Sequence, residues 1–131
     1  MLRVPSNLPA ELEELIHATI GCCITVHRAL GPGLLEKIYS RAIAMELSAA
    51  GIGIECEKHY PVMYRGQLLS HQRVDFVVAG QVVLEIKSVE RLTPLDRAQV
   101  LNYLRITKLR AGLLMNFNVP ILQDGIKRIV L

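Results

Sequence analysis

Tryptophan is absent from these 131 residues, phenylalanine occurs twice, and aromatic residues make up only 5% of the chain. With 51% of the residues apolar, the core is therefore expected to be aliphatic, and the length suits one domain, residues 1–131. Cysteine is scarce as well. Cys22, Cys23 and Cys56 form no CxxC pair, and two adjacent thiols are awkward partners for a disulfide. They read as reduced, mostly buried thiols of a cytoplasmic protein, and they are too few for a four-cysteine iron–sulfur site. No apolar run approaches the roughly 18 residues of a membrane span, so no membrane association is expected. The opening Met1-Leu2-Arg3-Val4-Pro5 lacks the apolar stretch of a signal peptide. Internal repeats, low-complexity stretches and linkers are also missing.

The modest net charge of +3 conceals an asymmetry. Residues 1–90 carry eight Lys/Arg against ten Asp/Glu, whereas residues 91–131 carry seven against two. Gathered on one face, that C-terminal excess would suit a polyanion; dispersed, it is a solvated surface.

Apolar residues from Leu12 to Val26 recur at helical spacing after Pro9 and a run of acids, and Gly31-Pro32-Gly33 ends that helix. A second helix is expected from Leu34 to Ala50. Strands follow at Ile54–Tyr64, with Pro61 inside it, and at Gln67–Val78, joined by Arg65-Gly66. A third strand covers Val82–Lys87. Thr93-Pro94-Leu95-Asp96 has the chemistry of a helix start, with Thr93 as N-cap and Pro94 in the first turn. That helix runs to about Ile106, and strands at Ala111–Phe117 and Ile126–Leu131 close the chain around an Asp124-Gly125 turn. The order α-α-β-β-β-α-β-β is that of a mixed α/β domain.

The chemistry concentrates in Arg73 to Lys87. Val83, Glu85 and Lys87 share one face of their strand, and a short hairpin brings Asp75 beside Glu85. Charges in so apolar a segment are costly unless something pairs with them. A divalent cation would answer both carboxylates and leave Lys87 beside a reaction centre, the arrangement that phosphodiester hydrolysis requires. An exposed Glu-x-Lys on a solvated sheet gives the same spacing. Glu36 opens the second helix, where an acid serves the helix dipole or a metal site, and Tyr39 follows one turn on. Gln99 and Tyr103 lie on one face of the third helix, open to phosphate or water contacts or to plain amphipathic packing.

Gly33-x-x-Glu36-x-x-Tyr39, Asp75 followed by Glu85-Ile86-Lys87, and Gln99-x-x-x-Tyr103 together resemble the GxxExxY protein family, within the PD-(D/E)xK nuclease superfamily and its RecB-like branch. Val26 to Gly33, Gly112 to Phe117 and Ile126 to Val130 resemble the family too, so the likeness covers nearly the whole chain. It implies a restriction-endonuclease-like core, a mixed β-sheet flanked by α-helices. Asp75 and Glu85 would be metal ligands, with the Ile86 carbonyl as a third. Lys87 would serve the water nucleophile, Glu36 would support the metal site, and Gln99 would complete it. Tyr103, Gln99 and Tyr39 would contact substrate, or in the case of Gln99 and Tyr103 back up the site. His27, nine residues before Glu36, reads as a capping or core histidine, with a ligand role as the alternative; His17, His59 and His71 read as surface or structural.

The resulting expectation is a Mg²⁺- or Mn²⁺-dependent nuclease acting through a metal-activated water, with DNA as default substrate and a homodimer compatible with the fold. Two rivals stand beside it: a nucleic-acid-binding or assembly module with little turnover, and a dimerisation domain whose carboxylates are satisfied by Lys and Arg.

Overall fold

Alternation and turn chemistry build a five-stranded sheet in the computed structural model, which describes residues 7–131. The Met1–Pro5 segment read for a leader lies outside the described residues. Helix α1 spans Ala10–Leu30 and α2 spans Glu36–Ala49; strands β1 (Ile54–Tyr64), β2 (Gln67–Val78) and β3 (Val82–Lys87) follow. Helix α3 (Pro94–Thr107) crosses to β4 (Ala111–Asn116), and a short 3-10 turn, Leu122–Gly125, leads into β5 (Ile126–Val130). The strands lie in sequence order, all antiparallel except β3 and β4, which α3 joins as a parallel pair. This is the mixed sheet with flanking helices expected from the sequence.

Both faces of the sheet are covered. Leu12, Ile16, Cys23 and Val26 of α1 and Ile43 and Leu47 of α2 bury Phe76, Leu84, Ile86, Leu113 and Met115. On the opposite face Val100, Tyr103 and Leu104 of α3 cover Val77, Val83 and Leu114. Gly112 allows that close seat: a Cβ there would stand 2.8 Å from Val100 Cγ1. The capping box at Thr93 is present, with Thr93 Oγ1 accepting the Asp96 N–H and Asp96 Oδ2 accepting the Thr93 N–H.

Two departures from the sequence reading matter. First, α2 begins at Glu36 rather than Leu34, because Leu35 is extended and Leu34 donates its N–H sideways to the Tyr39 hydroxyl. Second, Cys56 is exposed on β1, while Cys23 is buried and Cys22 half-buried; all three are free. Cys56, on the edge strand β1, is thus the exception to a mostly buried set.

Strands β1 and β2 outrun the rest of the sheet. β3 pairs with β2 over Phe76–Val78, whereas β1 and β2 pair with each other out to Tyr64 and Gln67. A two-stranded ribbon therefore projects from the body, turned by Arg65 and Gly66, both at positive φ, with Met63, Tyr64, Leu68 and Leu69 exposed near its tip. Among the described residues no helix is long and apolar enough to cross a membrane.

Candidate active site

The antiparallel β2–β3 pairing ends at Phe76 and Leu84, and the next residue on each strand, Asp75 and Glu85, lies at the inner end of the ribbon within electrostatic reach of the other. Strand alternation breaks there. Val74 and Val77 both belong to the α3 side, while Phe76 belongs to the α1 and α2 side. Opposite the break, Glu57 of β1 holds a left-handed φ of 50°, a costly conformation for a residue with a side chain. Asp75 Oδ2 accepts the Ile86 N–H at 2.9 Å, which fixes the carboxylate against the backbone of β3.

Glu85 is only 5% exposed, and its Oε2 is buried without a hydrogen-bond partner. Burial, then the neighbouring Asp75 charge, push its carboxyl up to about 8, against a weaker downward pull from the Lys87 ammonium. Tyr103 lies buried under the pair. Burial, followed by the charges of Glu85 and Asp75, raises its hydroxyl to about 12, with Arg73 opposing. Thus α3 supplies a floor of protonated phenol beneath two carboxylates. Gln99, one turn earlier on that helix, is half-buried.

Lys87 ends β3, and the next residue ties this strand to α2. The Ser88 N–H donates to Glu36 Oε1 at 3.2 Å, and the Ser88 hydroxyl donates to the Leu34 carbonyl at 2.6 Å. The loop that delivers Glu36 is shaped by Gly31 and Gly33, at φ 71° and 96°. Tyr39, expected to touch substrate, is fully buried instead. It packs on Phe117 with ring centroids 4.7 Å apart, and its hydroxyl donates to the Gly31 carbonyl at 2.6 Å while accepting the Leu34 N–H at 3.1 Å. The physical reason is helix geometry: Glu36 stands at the open first turn, and the residue three positions on points into the core.

His27 is buried at the end of α1, and its Nε2 lies 3.2 Å from the Phe117 carbonyl and 2.8 Å from the Val119 carbonyl, a bridge to the segment after β4. Of its two readings, the core one describes this position. His17, His59 and His71 are exposed. Sequence reasoning missed two residues near the site: Ser88, and Asn116, whose side chain binds the backbone of Val89. A lone Asn ending the apolar run Gly112–Met115 was the available signal for the second.

The basic C-terminal segment does not form one face. Arg91 and Arg97 flank the start of α3 near the Lys87 end of β3, whereas Arg105, Lys108 and Arg110 gather at its far end, beside the start of β4. Arg128 is bonded to Glu13. Among the described residues, one cleft is lined by His27, Arg28 and Ile121 and another by Arg97, Leu101 and Ile129; neither includes Asp75, Glu85 or Lys87.

Among the described residues no group of three or more His, Cys, Asp or Glu is placed to hold a metal ion. The donors at this site are instead two facing carboxylates and nearby backbone. They fit a hard divalent cation, because the unpartnered Oε2 of Glu85 and the repulsion between Asp75 and Glu85 are both relieved by positive charge. Residues 13–129 match the family model described as the PD-(D/E)XK nuclease superfamily. No curated protein and no solved structure matches the chain.

Proposed function

Since this chain belongs to the PD-(D/E)XK nuclease superfamily, whose nucleases typically use divalent metals, we propose that it hydrolyses nucleic-acid phosphodiester bonds at the Asp75–Glu85–Lys87 site. The single observation that carries this reading is the buried, unpartnered Oε2 of Glu85 beside Asp75, within the field of Lys87. Evolution tolerates so costly a carboxylate where something else completes it.

Asp75, Glu85 and the Ile86 carbonyl would hold Mg²⁺ or Mn²⁺. When bound, the ion supplies charge neutralisation at the phosphate and makes water acidic near neutral pH. Lys87 orients the attacking water and offsets charge developing on the phosphoryl oxygens. Glu36 is the outer acid: it holds the Ser88 N–H with one oxygen and leaves the other for the ion's water shell. Gln99, half-buried on α3, would contact substrate and complete the site, while Tyr103, buried beneath the acids, backs them up. Tyr39 fixes the loop that presents Glu36. The Gly33, Glu36 and Tyr39 motif supports a reading of the chain as a GxxExxY protein, and Gln99 with Tyr103 supports the RecB-like branch. DNA is the default substrate, the cytoplasm the compartment that suits three free thiols, residues 1–131 the domain, and a homodimer the assembly.

The test is cleavage of labelled single- and double-stranded DNA and RNA with Mg²⁺, Mn²⁺ or EDTA, with Lys87→Ala in parallel. Metal-dependent cutting by the wild type alone is the expected result. Silence across the panel, or equal cutting by Lys87→Ala, would refute the reading.

A further inference from the structure

A buried asparagine is costly unless every polar atom of its amide is used. Asn116 is 3% exposed, and it uses them all on the segment that follows Lys87. Its Oδ1 accepts the Val89 N–H at 3.1 Å, and its Nδ2 donates to the Val89 carbonyl at 2.9 Å. One side-chain amide thus engages both polar groups of one residue, as a paired strand residue does. The same Oδ1 accepts the Asn118 N–H at 3.1 Å, which folds the chain back beneath it. Gly125 lies so close to the Asn116 carbonyl that no Cβ fits there.

Placement gives these bonds their meaning. Asn116 pairs with Lys87 in the parallel register, and the Phe117 N–H donates to the Lys87 carbonyl at 2.8 Å. Backbone pairing of β3 stops at that point, and the Asn116 side chain carries the ladder two residues further. Ser88, between the two clamped residues, is held from the α2 side by Glu36 and the Leu34 carbonyl. Lys87, Ser88 and Val89 are therefore gripped from both flanks. The grip decides where the Ile86 carbonyl and the Lys87 side chain leave the strand, and whether the Ser88 N–H meets Glu36.

We propose that Asn116 is a positioning residue of the Asp75–Glu85–Lys87 site, acting through the two backbone groups of Val89 to fix the Ile86–Val89 segment. The proposal rests on the nuclease reading for its catalytic consequence only; its structural core is testable without turnover. Amide hydrogen exchange by NMR is compared in wild type, Asn116→Ala and Thr107→Ala. The last removes a hydroxyl that binds the Tyr103 carbonyl and the Leu109 N–H, remote from Lys87, and controls for general loss of stability.

In Asn116→Ala the Ser88 amide, which Asn116 does not touch, is expected to exchange at least about tenfold faster, with no such change in Thr107→Ala. On a cleaved substrate, kcat should fall at least about tenfold with KM within about twofold, while Thr107→Ala keeps both. If Asn116→Ala does not fold, Asn116→Asp carries the same test, because it keeps the acceptor oxygen for the Val89 N–H and replaces the donor by an oxygen that repels the Val89 carbonyl. An unchanged Ser88 exchange rate overturns the proposal whether or not the wild type cuts. So does a kcat loss that Thr107→Ala reproduces. A wild type that cuts nothing while Ser88 responds removes the nuclease reading and leaves the positioning device standing.

Discussion

Replacing Glu85 by Gln should stabilise the metal-free protein, and the gain should grow with pH. Glu85 is buried, its Oε2 has no partner, and the Asp75 charge acts on it. Burial first and the Asp75 charge second raise its carboxyl from 4.5 to about 8. A carboxyl raised in the folded state contributes its full stability below the unfolded value, where both states hold the proton, and loses it as pH climbs through the folded value. The window here runs from 4.5 to about 8, since the unfolded chain gives up the proton first. At about 1.36 kcal/mol per pH unit the ceiling is roughly 4–5 kcal/mol above that window. Near pH 7 linkage leaves about 3 kcal/mol, which relaxation and water entry reduce to about 2 kcal/mol. Near pH 5 it is below about 1 kcal/mol. Gln keeps the shape of Glu, is neutral throughout, and donates an N–H toward Asp75. Urea unfolding in EDTA, followed by circular dichroism across this range, reads the difference directly, and about 2 kcal/mol corresponds to about 8 °C in Tm for a domain of this size. A Gln variant that gains no more at pH 8 than at pH 5, or that is weaker throughout, would refute the picture of an uncompensated buried charge.

Millimolar Mn²⁺ or Mg²⁺ should raise the wild-type Tm, by about 2.7 kcal/mol of stabilisation at a hundredfold excess over Kd, and Asp75→Ala should abolish the shift; calorimetric scans with and without EDTA decide it. Tyr39→Phe removes a hydroxyl that donates to Gly31 and accepts from Leu34, so a loss of about 1–2 kcal/mol is expected in urea unfolding, with a weaker metal-induced shift as Glu36 loosens. Glu57→Gly relieves a left-handed φ and should leave stability unchanged or raise it by up to about 1 kcal/mol, despite the lost 3.5 Å contact to Arg73; a clear loss would show that the side chain contributes more than its strain costs.

The elements could be read from the sequence because local rules and tertiary packing agree. The Leu12–Val26 periodicity, the Thr93-Pro94-Asp96 start and the Arg65-Gly66 turn each carry their own geometry, and each appears where those rules put it. Asp75, Glu85 and Lys87 were visible as charges set in an apolar hairpin. What lay beyond reach was contact between elements distant in sequence. Glu36 meets Ser88 across 52 positions, and Asn116 meets Val89 across 27. Tyr39 was misplaced because the i, i+3 rule gives a shared side of a helix without saying which side is buried. The basic tail was countable but not locatable, since α3 reverses the chain and separates Arg91 and Arg97 from Arg105 to Arg110.

The projecting ribbon has a mechanical consequence. Outward of Asp75, β2 pairs with β1 alone; from Phe76 inward, strands flank β2 on both edges and helices cover both faces. Asp75 sits on that frontier, with Glu85 wholly on the stiff side. The ribbon is thus a lever roughly seven residue levels long, about 23 Å at strand rise, with one of the two carboxylates at its fulcrum. A load on the tip near Tyr64 would travel along β2 to Asp75 before it reached Glu85, and the bond from the Ile86 N–H to Asp75 is what would resist it.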